Sequence, residues 1–232
     1  MNPIIAIEGL SFAGKTTLIK LLETEGFTRL YELAEKFEYG AGFPPFPKTT
    51  DDAKKSDLWF VQQEVIREQD AQLKATSAPV LEDRSFISGL AFGYARQDVF
   101  GSGDALYQHG VIRQVVEQGK LHVPWLVHLK IKIDSLYDRK GKDEERRIRE
   151  YGEAAVCNAS VSKEERKFFE KQIEFYVRLF ARVPHLELDA LETPPSLASQ
   201  VRQWSKGLKS QFSSVNIEDL FIKPSSVETW TP

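Results

Sequence analysis

Ile4-Ile5-Ala6-Ile7-Glu8-Gly9-Leu10-Ser11-Phe12-Ala13-Gly14-Lys15-Thr16-Thr17 decides the reading of this chain. Its first four residues are apolar and mostly β-branched, without alternation. They predict a strand covered on both faces, as in a parallel sheet. Gly9 to Thr16 then match G-x-x-x-x-G-K-[ST] at every fixed position. Leu18, Leu21 and Leu22 follow at helical spacing and Gly26 is a helix stop, so the motif lies between a buried strand and a helix, as it must. The glycines let the backbone turn its N–H groups inward as an anion nest, and the helix dipole faces the same anion. In this pattern Gly9, Ser11, Phe12, Ala13, Gly14, Lys15, Thr16 and Thr17 cradle a nucleoside triphosphate. Lys15 reaches the β- and γ-phosphates of ATP, and the Thr16 hydroxyl ligates Mg²⁺. The plain alternative is a glycine turn with a surface lysine. The chain contains no Asn-Lys pair, which counts against a guanine-reading GTPase.

Working outward, strands and helices alternate. A second strand is predicted over 27–33, a loop rich in Gly and Pro over 40–50, and a helix from Asp57 to about Leu73. Residues 78–81 open a third strand, followed by helices over 85–96 and 105–117, with a fourth strand over 124–131. Ser162 and Glu165 form a capping box, and Phe169, Ile173, Tyr176 and Phe180 continue as one face of a long helix. Residues 185–189 form a fifth strand and 195–208 a final helix. This alternation predicts a three-layer α/β fold with about five parallel strands. Residues 1–208 make the domain, and 209–232 a Ser-rich tail lying across it.

The chain has 232 residues, which suits one domain with an appendage. With 31 Lys and Arg against 34 Asp and Glu, the net charge of -3 argues against a large nucleic-acid footprint while leaving a local groove open. The single cysteine, Cys157, forms no internal disulfide and rules out a Cys-rich metal site. No window is apolar enough to span a membrane, and the N-terminal run is too short for a signal peptide, so a soluble cytoplasmic protein is expected.

After the third strand comes Leu81-Glu82-Asp83-Arg84-Ser85-Phe86-Ile87-Ser88-Gly89-Leu90-Ala91-Phe92. Asp83 at the carboxyl end of a parallel strand can hold Mg²⁺, and Arg84 can clamp a phosphate bidentately. Neighbouring strand residues face opposite ways, so Glu82 and Asp83 do not share that role. Here the chain resembles the P-loop thymidylate kinase and deoxynucleoside kinase superfamily. Thymidylate kinases read D-R-[YFH]-x-x-S-x-x-A-[YF]-Q; Asp83, Arg84, Ser88, Ala91 and Phe92 fall in register, while Ser85 and Gly93 depart. Deoxynucleoside kinases read E-R-S, which Asp83-Arg84-Ser85 repeats with a shorter acid.

The resemblance implies further residues. Glu32 near the end of the second strand takes the place of a residue that acts on the acceptor, as base or orienter, with Glu35 the second choice. Residues 138–150, rich in Arg and Lys, take the place of a helical lid whose cations close on the ATP phosphates. Arg139, Arg146 and Arg147 are the candidates, with Lys142 next. A solvated charged helix is the plain alternative. Asp57-Leu58-Trp59-Phe60-Val61-Gln62-Gln63-Glu64 resembles the helix that meets the acceptor base, which would place Trp59 and either Gln62 or Gln63 there, with Arg84 and Phe92 beside them. Phe43, Phe46, Lys48, Lys54 and Lys55 lie in the loop over 40–56 that could cover this acceptor. The superfamily also suggests a homodimer.

The expectation is therefore transfer of the ATP γ-phosphoryl group, with Mg²⁺, to a nucleoside monophosphate. The alternatives are a deoxynucleoside 5′-hydroxyl, another small molecule or nucleic acid as acceptor, and a regulatory NTP-binding module that transfers nothing.

Overall fold

The apolar N-terminal run forms the middle strand of the sheet. The computed structural model describes residues 1–37, 42–151 and 163–224, with the side chains of 36 and 143–151 left aside. In it β1 (Ile4–Glu8) lies between β3 (Val80–Asp83) and β4 (Trp125–Lys130). β2 (Thr28–Leu30) pairs with β3 and β5 (Leu186–Asp189) with β4, giving the order β2-β3-β1-β4-β5 with every pairing parallel. Ile4, Ile5, Ala6 and Ile7 are wholly buried. Burying one such isoleucine side chain contributes roughly 1.5–3 kcal/mol. Ile7 pairs with Asp83 and Glu8 with His128, so the carboxyl ends of β1 and β3 open together on one edge of the sheet, where α/β folds hold ligands.

Parallel strands need crossovers, and eight helices supply them among the described residues: α1 (Lys15–Glu23), α2 (Leu33–Lys36), α3 (Thr50–Lys74), α4 (Phe86–Phe100), α5 (Ala105–Glu117), α6 (Ile133–Tyr151), α7 (Lys163–Phe180) and α8 (Pro194–Ser205). α1 packs on α8, α4 on α7, and α3 on α4 and α5. The starts are capped by the residues that favour caps. Thr49 accepts from Asp52 N–H at 3.1 Å, Ser85 from Ile87 N–H at 3.2 Å, and Asp104 from Tyr107 N–H at 2.9 Å.

The boundaries moved where local chemistry outweighed periodicity. α3 begins at Thr50 rather than Asp57, because Thr49 caps it and Asp51 and Asp52 complement its dipole. β3 begins at Val80, after a proline with no N–H to donate, and runs on to Asp83. β2 stops at Leu30, and Glu32 becomes the residue preceding α2. Ser162 of the capping box and Cys157 lie outside the described residues; Glu165 pairs with Lys140 at 2.7 Å.

The tail lies across the sheet edge. Gln211 C=O accepts from Ile4 N–H at 2.9 Å, Ser210 C=O from Trp125 Nε1–H at 2.9 Å, and Ser213 N–H donates to Val123 C=O at 3.0 Å. Leu220, Phe221 and Ile222 then enter the core, with Phe221 stacked on His109 at 4.4 Å. Residues 225–232 lie outside the description. Among the described residues no helix is long and apolar enough to cross a membrane.

Candidate active site

The loop after β1 folds as its glycines require. Gly9 has φ 138°, and a Cβ there would stand 2.5 Å from the Leu129 carbonyl oxygen of the neighbouring strand, so only glycine fits. Gly14 precedes α1 with φ 99°. Phe12 also takes a left-handed conformation, φ 62°, which costs a non-glycine residue roughly 1–2 kcal/mol. Its ring is exposed and lines the cavity at the loop's tip. Lys15 is buried and turns back on its own loop, donating to Gly9 C=O at 3.1 Å and Leu10 C=O at 2.7 Å. Burial and the like charge of Arg84 lower its pKa to about 7, against the pull of Asp83, Glu32 and Glu8.

Asp83 and Glu82 part as strand geometry demands. Asp83 faces the loop, its Oδ2 accepting from Thr16 Oγ1 at 2.7 Å with Arg29 Nη2 at 3.7 Å. Its Oδ1 is buried without a hydrogen-bond partner. An orphaned carboxylate oxygen beside the Thr16 hydroxyl is a hard-oxygen donor set that suits Mg²⁺, whose remaining ligands would be water and phosphate. Glu82 is buried on the other face among Arg67, Glu64 and Glu68, and burial raises its pKa to about 8.

Arg84 links the glycine loop to Glu32. It has φ 64°, and its carbonyl accepts from Arg67 Nη2 at 2.7 Å. Its guanidinium donates to Gly9 C=O at 3.1 Å and to Ser11 Oγ at 3.0 Å, both in the loop. On the other side its Nε lies 2.8 Å from Glu32 Oε1. Glu35 is held instead by Arg29 at 2.5 Å, so Glu32 is the acid that reaches Arg84.

The loop opens into one continuous cavity of about 1110 Å³, running from Glu192 and Leu197 past Lys15 and Arg84 to Arg96 and Gln108. That exceeds the ~300–1,000 Å³ of an ordinary single-ligand site. At the far end Asp57 Oδ1 and Oδ2 accept from Arg96 Nη2 at 3.0 and 2.8 Å, and Oδ1 from Gln108 Nε2 at 3.3 Å. Gln108 Nε2 also donates to Gly89 C=O at 3.0 Å, which fixes which way its amide faces. Between the ends Glu64 holds Arg67 at 2.9 Å. Burial raises the pKa of Asp57 and of Glu64 against the opposing pull of Arg96 and Arg67. Phe43, Pro44, Pro45, Phe46 and Pro47 wall one side, Phe60, Phe92 and Phe168 another, with Phe92 and Phe168 at 5.6 Å.

Of the residues singled out from sequence, Ser11, Phe12, Ala13, Gly14, Lys15, Thr16, Thr17, Glu32, Arg84, Phe92 and Arg139 line this one cavity. Asp83 is anchored to Thr16 at its floor. Arg139 joins the loop to the segment after β5, donating to Ala13 C=O at 2.7 Å and to Ala190 C=O. Arg146 and Arg147 lie on α6, but their side chains fall outside the described residues. The cavity does not include Trp59, Gln62 or Gln63. Trp59 packs on Phe37 at 5.1 Å, and Gln62 is exposed beside a separate small groove. A helix turns 100° per residue, and α3 presents Asp57, Phe60, Val61, Glu64 and Arg67 to the cavity instead.

Sequence reasoning missed Asp57, Glu64, Arg67, Arg96 and Gln108. The signal was present on α3, where Ser56, Asp57, Glu64, Arg67 and Glu68 fall on one buried stripe with Ala53, Val61 and Ala71. A charged stripe at helical spacing ordinarily faces water, which hides a polar pocket wall.

No protein-family model matches the chain, and no curated protein sequence matches it. Solved structures do. Deoxyadenosine kinase from M. mycoides with products dCMP and a flexible dCDP bound superposes with a TM-score of 0.61 at 15% identity, covering 88% of this chain and 100% of that one. The same enzyme with dATP gives 0.60 at 16% identity, and with dCTP 0.57 at 19%, with the same coverage. The chain has the fold of a P-loop deoxynucleoside kinase. That fold accounts for the strand order and for the cavity at the carboxyl edge of the sheet.

Proposed function

We propose that the chain is a nucleoside kinase, transferring the γ-phosphoryl group of Mg·ATP to the 5′-hydroxyl of a deoxynucleoside. One observation carries the choice of acceptor. Among the described residues, the three arginines lining the proposed acceptor end are each matched by a carboxylate: Arg84 by Glu32 at 2.8 Å, Arg67 by Glu64 at 2.9 Å, and Arg96 by Asp57 at 2.8 Å. A monophosphate brings two negative charges and needs unmatched cations, whereas a nucleoside brings none. The acceptor end is charge-balanced for a neutral guest. The deoxynucleotides bound by the M. mycoides enzyme on the same fold support a deoxynucleoside acceptor.

The chemistry follows from the residues in place. The acceptor sugar points at Glu32, which takes the 5′-hydroxyl proton as its oxygen bonds to the γ-phosphorus. The bond from that phosphorus to the β–γ bridging oxygen breaks and ADP leaves. Lys15, Arg84 and Arg139 present cations to the equatorial oxygens, where charge spreads in the transition state. Asp83 and Thr16 would hold Mg²⁺, which would supply positive charge against the phosphates. The aromatic walls and the Asp57–Arg96–Gln108 group receive the base.

The test is ADP release from Mg·ATP against a panel of nucleosides and their monophosphates, with Lys15→Ala as control. Stimulation by nucleosides, lost in Lys15→Ala, is expected. Stimulation by monophosphates alone would overturn the reading.

A further inference from the structure

Glu8, the last residue of β1, lies one residue before the phosphate loop and is wholly buried. The transfer scheme above does not use it. Yet its carboxylate accepts hydrogen bonds from two separate parts of the chain, the start of α4 and the later half of α7. Oε1 accepts from Ser85 N–H at 2.8 Å and from Ser85 Oγ at 2.7 Å. Oε2 accepts from Ser88 Oγ on α4 at 2.6 Å and from Tyr176 OH on α7 at 3.3 Å. Nothing in β1 needs this for pairing, since the strand's backbone ladder is already complete with β3 and β4.

What these bonds surround is Arg84. Its left-handed φ of 64° is disfavoured ~5–30-fold for a non-glycine residue. A relaxed backbone would turn the guanidinium away from Gly9, Ser11 and Glu32. The peptide on its carboxyl side is fixed twice, through Ser85 N–H to Glu8 and through its own carbonyl to Arg67 at 2.7 Å. Hydrogen bonds to a buried charged group are each worth about 10- to 100-fold, enough to outweigh the strain. Glu8 also touches the guanidinium at second hand. Ser88 Oγ, which donates to Glu8, accepts from Arg84 Nη1 at 3.4 Å.

We propose that Glu8 is a positioning residue for phosphoryl transfer: it holds Arg84 in its left-handed conformation and so fixes the span from the phosphate loop to Glu32. The kinetic consequence rests on the nucleoside-kinase reading; the conformational one does not. Glu8 thereby ties the strand that ends in the phosphate loop to the residue that faces the acceptor.

The experiment uses Glu8→Gln and Glu8→Asp in the full chain. Gln keeps one acceptor oxygen without the charge, and Asp keeps the charge but is a methylene too short for Ser85 and Ser88 together. In each, kcat should fall about 10- to 100-fold with the KM values for ATP and nucleoside within about threefold, because the aligned state is depopulated after binding. The second readout is the arginine Nε–H NMR spectrum of the protein without substrates. The Arg84 signal, identified by its loss in Arg84→Lys, should shift or broaden in both variants. If these variants do not fold, Ser88→Ala, which removes only the hydroxyl joining Glu8 to Arg84, should give the same shift in smaller measure. A lowered Tm with unchanged kcat and an unmoved Arg84 signal would overturn the proposal, as would a rise in KM at constant kcat. If the parent protein phosphorylates no nucleoside, the functional reading fails, and the Arg84 signal still decides the role of Glu8.

Discussion

Raising the pH above 7 should weaken ATP binding, and the proton that binding takes up can be counted. Before a triphosphate enters, Lys15 is buried beside Arg84 and gives its hydrogens to the Gly9 and Leu10 carbonyls. Two acceptors satisfy a neutral amine, which has two N–H groups, so the loop itself supports the uncharged form. Lowering the pKa from 10.5 to about 7 corresponds to roughly 5 kcal/mol of preference against the ammonium. At pH 8 the amine is then ~10% protonated, and at pH 6 ~90%. A triphosphate seated against Nζ reverses the balance and restores the ammonium. The complex therefore holds more protons than its parts: ~0.9 more at pH 8, ~0.5 at pH 7 and ~0.1 at pH 6. The sign follows. Affinity is pH-independent below 7 and falls up to about tenfold per unit above it, until the lysine of the complex itself titrates. Isothermal calorimetry of Mg·ATP binding at pH 8, repeated in buffers of different ionisation enthalpy, gives the uptake as the slope of observed enthalpy against buffer enthalpy. Lys15→Arg keeps the cation but does not titrate in this range, and should abolish the slope. A slope near zero in the parent protein at pH 8 would refute the claim that Lys15 waits uncharged.

Three other outcomes are expected. Glu32→Gln should lower kcat about 10²- to 10⁴-fold in nucleoside-stimulated ADP release, since Glu32 is the acid that reaches Arg84. Gly93→Ala places a Cβ 2.2 Å from Gln108 Oε1, so Gln108 must swing off Asp57 and Gly89; steady-state kinetics should show about a tenfold rise in acceptor KM and none in that for ATP. Phe12→Gly relieves the φ of 62° at the loop's tip, and differential scanning calorimetry should show Tm rising by about 1–4 °C, the strain recovered less the entropy that glycine loses on folding.

The sequence was most legible where covalent pattern and backbone geometry coincide. The phosphate loop reads directly because each fixed position answers to one backbone demand, as Gly9 does against Leu129. Asp83 was legible because strand alternation leaves only one of two adjacent acids facing the loop. The far end of the cavity was not. Gln62 and Gln63 carried the residue type expected of a base reader, but the rotation of α3 about its axis decided that Asp57 and Glu64 face inward instead. That rotation is set by packing on α4 and α5, where Arg96 and Gln108 wait for Asp57, and such pairs at long separation leave no local mark. Glu32 and Glu35 differ by less than one helical turn, and only the fold shows which meets Arg84 and which Arg29.

The parallel sheet has a consequence for how the protein comes to be active. β1 pairs with strands some 75 and 120 residues further along, as Ile5 meets Leu81 and Trp125. The contacts that join the phosphate loop to Asp83 and Arg84 span 67 and 75 residues, so the chain must close long loops before these parts of the site meet. A partly folded chain with every helix formed would still hold no triphosphate. Under the proposed function ATP would bind only the finished topology, and at saturating concentration it would draw late folding steps forward by mass action. In a cell the nucleotide pool would act on this chain as a folding ligand as well as a phosphoryl donor.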